Sequence, residues 1–71
     1  MNMEDNTEVR HPNVIVQLTG SSGNAMVIMS AVTAALRRAG YADEIDAYME
    51  ESMSGDYNNL LTTARKWVTV I

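Results

Sequence analysis

Residues 13–40 read NVIVQLTGSSGNAMVIMSAVTAALRRAG, and this stretch decides the fold. Val14, Val16 and Leu18 fall on one side of an extended chain, and Asn13, Ile15 and Gln17 on the other. That alternation predicts a half-buried strand over 13–18. Ile15 is its exception, an apolar residue on the polar side. Thr19 to Asn24 is a loop by composition, rich in Gly and Ser. From Ala25 to Ala39 neither Gly nor Pro intervenes, and Ala25, Ile28, Met29, Val32, Ala35, Leu36 and Ala39 recur at helical steps. Arg37 and Arg38 suit the negative end of that helix, and Gly40 supplies a left-handed stop.

Toward the C-terminus, Asp43 is a candidate N-cap for a second helix, with Glu44 and Asp46 in its first turn. Ile45, Tyr48, Met49 and Met53 form its apolar stripe, while Glu50 and Glu51 face water. Ser54-Gly55 ends it, and Asp56 caps a third helix in which Leu60, Leu61, Ala64 and Trp67 face inward. Val68 to Ile71 is β-branched and reads as a second strand. The order β-α-α-α-β predicts a small α+β domain: a two-stranded sheet with helices packed on one face. The strands are expected to be neighbours, and the pattern leaves open whether they run parallel or antiparallel. Residues 1–12 are expected to be a flexible tail, leaving 13–71 as the single domain.

At 71 residues the chain has room for one core, and a domain this short is marginally stable unless reinforced. It has no Cys and one His, which removes disulfides and leaves no Cys or His cluster for a metal. Neither a metal nor another cofactor is expected. No run is long and apolar enough to span a bilayer, and the polar, acidic start is unlike a signal peptide. A cytoplasmic location is therefore expected, with no membrane partner. The net charge of −4 counts against nucleic acid, whose affinity for proteins comes from neutralised phosphates.

The first helix is apolar nearly all round, which requires cover on more than one side. Either the sheet and the other helices supply it, or a second copy does. The second reading predicts a homodimer joined through Ile15, Met26 and Val27, or through an exposed strand edge.

Two segments carry candidate binding chemistry. Gly20, Ser21, Ser22, Gly23 and Asn24 lie between a strand and a helix N-terminus, where backbone N–H groups suit an anion. The Lys and Ser/Thr of a P-loop are absent, and so is the dinucleotide fingerprint. The plainer reading is a turn with Ser22 or Asn24 as the helix cap. Asp56 and Tyr57 in the second segment could contact a polar ligand or stack on a ring, or could simply break and cap a helix. No residues form a catalytic constellation: there is no Cys nucleophile, the one His sits beside Pro12 near the tail, no Ser has a G-x-S-x-G context, and every acid has a cap, dipole or solvent role. The chain is not expected to be an enzyme.

With these segments placed, a resemblance emerges. Val16-Gln17-Leu18-Thr19-Gly20 with Gly23-Asn24-Ala25, the segment Ala35 to Gly40, then Ser54-Gly55-Asp56-Tyr57-Asn58-Asn59-Leu60-Leu61 and Trp67-Val68-Thr69-Val70, resemble a group of small uncharacterised proteins. These are encoded by bacteriophages, prophages and actinobacterial genomes, and carry LxGxxGNA and SGDYxxLL motifs. This chain departs from the pattern at Ser22, where the group often has Asp. The resemblance brings no assigned activity. It implies a small phage-type accessory protein, acting by non-catalytic interaction with a protein partner such as a host factor. The alternative is a binder of a small phosphorylated ligand or nucleotide at the Gly20–Asn24 loop.

Overall fold

Val14 and Val16 are buried, while Ile15 between them is 59% exposed, so one face of the first strand meets the core and the other is left uncovered. In this computed structural model, residues 9–18 and 23–71 are described. The elements in chain order are β1 (His11–Val16), α1 (Ala25–Arg38), a 3-10 turn (Ala42–Glu44), α2 (Ile45–Ser52), α3 (Tyr57–Trp67) and β2 (Val68–Val70). The fold is the expected small α+β domain with a two-stranded sheet. Its strands are neighbours, and they run parallel.

β1 starts at His11, two residues earlier than the alternation predicts, and residues 9–12 belong to the domain rather than to a tail. Residues 1–8 of the expected tail lie outside the described residues. Register runs His11 to Val68, Ile15 to Thr69 and Val16 to Val70, with an irregularity between His11 and Ile15. Pro12, which has no N–H for a ladder, falls in that irregularity. There the Thr69 hydroxyl donates to the Pro12 carbonyl at 2.8 Å. Backbone bonds extend the pairing at both ends, from Arg10 N–H to Lys66 O and from Leu18 N–H to Ile71 O, each 2.8 Å.

α1 begins where Asn24 accepts from the Met26 N–H at 2.8 Å, so Asn24 is the cap. It ends in a Schellman motif: Tyr41 N–H reaches Leu36 O, Gly40 N–H reaches Arg37 O, and Gly40 takes φ +94°. Val32, Ala35 and Leu36 join Val14, Val16, Tyr48, Ala64, Trp67 and Val68 in the main core. Ile28 and Met29 meet Leu60 in a smaller cluster nearer the start of α1. The buried face of α1 is thus covered by the sheet and by the helices of its own chain, while Met26 and Val27 stay exposed.

α2 departs from expectation at three points. Asp43 makes no capping hydrogen bond, because the chain enters through a 3-10 turn rather than a capped α-helix. Met53 lies beyond the last helical residue and is 66% exposed instead of facing inward. Glu51, expected in water, turns to α3, where its carboxylate accepts from Trp67 Nε1 at 3.0 Å and pairs with the Lys66 ammonium. α3 starts as expected, with the Asp56 carboxylate accepting from the Asn59 N–H at 2.9 Å.

Candidate functional site

The α2–α3 connection is tight because Asn59 closes it. Its amide nitrogen donates to Glu51 O at 2.9 Å, tying the first turn of α3 to the end of α2. Gly55 sits against the same side chain. A Cβ on Gly55 would stand 2.9 Å from Asn59 Cβ, closer than two carbons tolerate. Ser54 adds a hydroxyl bond to Glu51 O at 2.7 Å.

This corner meets the start of α1 around an open cavity of about 330 Å³, lined by Ala25, Met29, Ser52, Met53, Gly55, Asp56, Tyr57 and Leu60. A volume of this order lies at the small end of ligand sites. Its walls are mainly apolar, and among the described residues Asp56 is the one charged side chain lining it. Met53 and Tyr57, 66% and 44% exposed, stand at the opening. Tyr57 also reaches α1's approach: its hydroxyl lies 3.5 Å from where a Cβ on Gly23 would be. The two segments singled out from the sequence therefore come together, Gly23 on one side and Asp56-Tyr57 on the other. Gly20, Ser21 and Ser22 lie outside the described residues.

Ser52 lines the cavity and is 1% exposed, and among the described residues its Oγ has no partner in hydrogen-bonding geometry; neither has the Tyr48 hydroxyl one turn before it. Burial pushes the Tyr48 phenol above its ordinary range, against a smaller downward pull from the nearby Ser52 hydroxyl. Sequence reasoning missed Ser52 and Gly55 as site residues. The available signal was Met53, an apolar stripe residue placed where the helix already stops at Ser54-Gly55.

The three residues proposed for self-association divide between two faces. Ile15 is on the uncovered side of the sheet, whereas α1 packs on the side carrying Val14 and Val16. Met26 and Val27 are exposed on α1, at 63% and 44%. They form no single patch with Ile15.

A second polar cluster, also missed, lies where α1 and α3 end beside β1. The His11 ring stacks on Tyr41 with centroids 3.8 Å apart, and His11 Nε2 is 2.9 Å from Glu44 Oε1. Arg10 pairs with the same carboxylate at 3.1 Å and lies over the Trp67 ring at 4.5 Å. The hydrogen bond from His11, with the charge of Arg10 adding to it, holds Glu44 below the usual carboxylate range. Lys66 first and Trp67 second do the same for Glu51. Each of these groups is consumed by a neighbour that fastens β1 or α2 to the rest, so the cluster serves the fold. Among the described residues no group of three His, Asp or Glu side chains is placed to hold a metal ion.

No helix among the described residues is long and apolar enough to cross a membrane. Comparison with known proteins finds no matching family model, curated protein or solved structure.

Proposed function

We propose that this chain is a non-catalytic protein-binding module whose working face is the cavity between α1, α2 and α3. In this reading it is an accessory protein of the kind its resemblance to phage proteins implies. The observation that carries the proposal is the pairing of an apolar cavity with exposed apolar side chains at its mouth. Ile15, Met26, Val27 and Ile71 are exposed as well, but of the large exposed apolar side chains Met53 and Tyr57 are the two that line the cavity. Thioethers and aromatic rings are the side chains that adapt to and anchor a partner surface. A phosphorylated ligand is less well served at this face, because the Asp56 carboxylate beside the cavity repels anions.

Affinity capture from a bacterial lysate tests the reading, with the wild-type chain and a Met53→Ser/Tyr57→Ser variant as parallel baits. A protein retained by the first and lost by the second is the expected result. A partner retained equally by both, or none retained by the wild type, would refute the assignment.

A further inference from the structure

The acidic residues from Asp43 to Glu51 fall into two sets. Glu44 and Glu51 are held by Arg10 and His11 and by Lys66 and Trp67. Asp43, Asp46 and Glu50 are exposed and form no ion pair among the described residues. Asp46 and Glu50 stand at i and i+4 on one face of α2, and Met53, its C-cap residue, continues that line at i+7. The two carboxylates therefore stand about one turn apart, roughly 6 Å along the axis, and the methionine at the mouth of the cavity follows roughly 10 Å from the first. Asp56 continues the same sign on the cavity wall.

Resting on the proposed function above, we infer that the partner presents a basic amphipathic α-helix to this face. An apolar side chain of that helix enters the cavity between Met53 and Tyr57. Lys or Arg side chains spaced four apart lie along Asp46 and Glu50. An apolar groove read by anchors at helical spacing is an established mode of peptide recognition. Here charge complementarity fixes the sign of the partner, since no Lys or Arg lines the cavity and the whole chain carries −4. An acidic or neutral helix finds the same apolar anchor site, but like charges oppose it or nothing attracts it along the two carboxylates.

The probe is a synthetic amphipathic helical peptide of Leu and Lys, compared with its Leu and Glu counterpart by NMR titration of the labelled protein. The Lys peptide is expected to shift the amides of Ala25, Met53 and Tyr57 and to weaken with added salt. Asp46→Asn/Glu50→Gln should lower its affinity roughly threefold to tenfold, the effect of losing two exposed charge pairs. Asn13→Lys/Gln17→Lys shifts the net charge by the same amount on the exposed side of β1 and just beyond it, and should cost clearly less. If the Glu peptide binds equally well, or both double variants weaken binding alike, the basic-helix inference falls while the cavity stays a docking face. If neither peptide shifts the cavity amides, the inference falls as well, and the paired-bait capture decides the docking face independently.

Discussion

Tyr57 stands over Gly23, its hydroxyl 3.5 Å from the position a Cβ would take there. Thirty-four residues separate them in the chain, yet the first residue of α3 and the approach to α1 form one wall. At 3.5 Å an added methyl is in ordinary van der Waals contact. Gly23→Ala is therefore expected to fold with a stability change within about 0.5 kcal/mol, as for a typical surface substitution. Gly23→Val has two further methyls to place, and is expected to displace the Tyr57 ring. The readout is the Tyr57 ring proton shifts, unchanged in the first variant and moved in the second. Identical spectra for both variants would mean that Gly23 and Tyr57 do not share a wall.

Gly55 is the less forgiving glycine. Its missing Cβ would meet Asn59 Cβ at 2.9 Å, an atom fixed by the α3 backbone rather than the end of a mobile side chain. Gly55→Ala should cost about 1–3 kcal/mol, the range of overpacking in a closed site. Asn59→Ala should cost about 0.5–1.5 kcal/mol for the lost hydrogen bond to Glu51 O. Because the clash is with Cβ, Asn59→Ala should not rescue Gly55→Ala. Urea midpoints of the two single variants and the double variant decide this. Recovery of most of the loss in the double variant would place the clash on the amide group instead.

Much of this fold is legible in the sequence because its signals are local. Asn24, Gly40 and Asp56 act within three residues of themselves, and each caps or stops a helix as its type predicts. The periodicity of α1 is equally local. What sequence reading lost depends on contacts across the chain. Glu51 reads as a water-facing residue because its own helix offers no partner, whereas Lys66 and Trp67 arrive from fifteen and sixteen residues away. His11 reads as part of a tail because nothing beside it explains order; Tyr41 and Glu44 do, thirty and thirty-three residues on. The cavity has the same character. Asp56 and Tyr57 could be named from the break at Gly55, but Ala25, Met29 and Ser52 become its walls only once three helices meet.

Acid should loosen the domain through two identified carboxylates. Glu44 and Glu51 are held below their ordinary value of 4.5 in the folded chain, by the His11 and Lys66 hydrogen bonds respectively. The unfolded chain then binds more protons across the interval between the two values, so stability rises with pH there. Their contribution is fully present above about 4.5 and is lost as pH falls through the lowered values. Urea midpoints measured from neutral pH downward should fall across that window. In Glu44→Gln/Glu51→Gln the same titration should be flatter and start from a lower midpoint. An unchanged slope in the double variant would show that other groups carry the acid dependence.

Tyr48 and Ser52 make a sharper case, because two buried hydroxyls one turn apart lack a partner in hydrogen-bonding geometry. A buried polar group without a bond pays its desolvation and gains nothing in return. The Tyr48 ring, by contrast, is fully buried and packs edge-on to Trp67 with centroids 5.8 Å apart. Tyr48→Phe keeps the ring and removes the unpartnered oxygen, so it should leave stability unchanged or raise it by up to about 1–3 kcal/mol. Ser52→Ala should behave alike, while Tyr48→Ala, which empties the core, should cost about 3–5 kcal/mol. The alkaline limb gives a second measurement. Burial raises the Tyr48 phenol above 10.0, so the folded chain keeps a proton that the unfolded chain releases. That contribution is present below 10.0 and disappears as pH climbs through the raised value, and Tyr48→Phe should remove this part of the alkaline loss. In an ultraviolet titration the Tyr48 phenol should ionise only above its ordinary value of 10.0, and that late step should be missing from Tyr48→Phe. A Tyr48→Phe variant destabilised by 1 kcal/mol or so, the worth of an ordinary hydrogen bond, would show instead that the phenol and the Ser52 hydroxyl bond each other in solution.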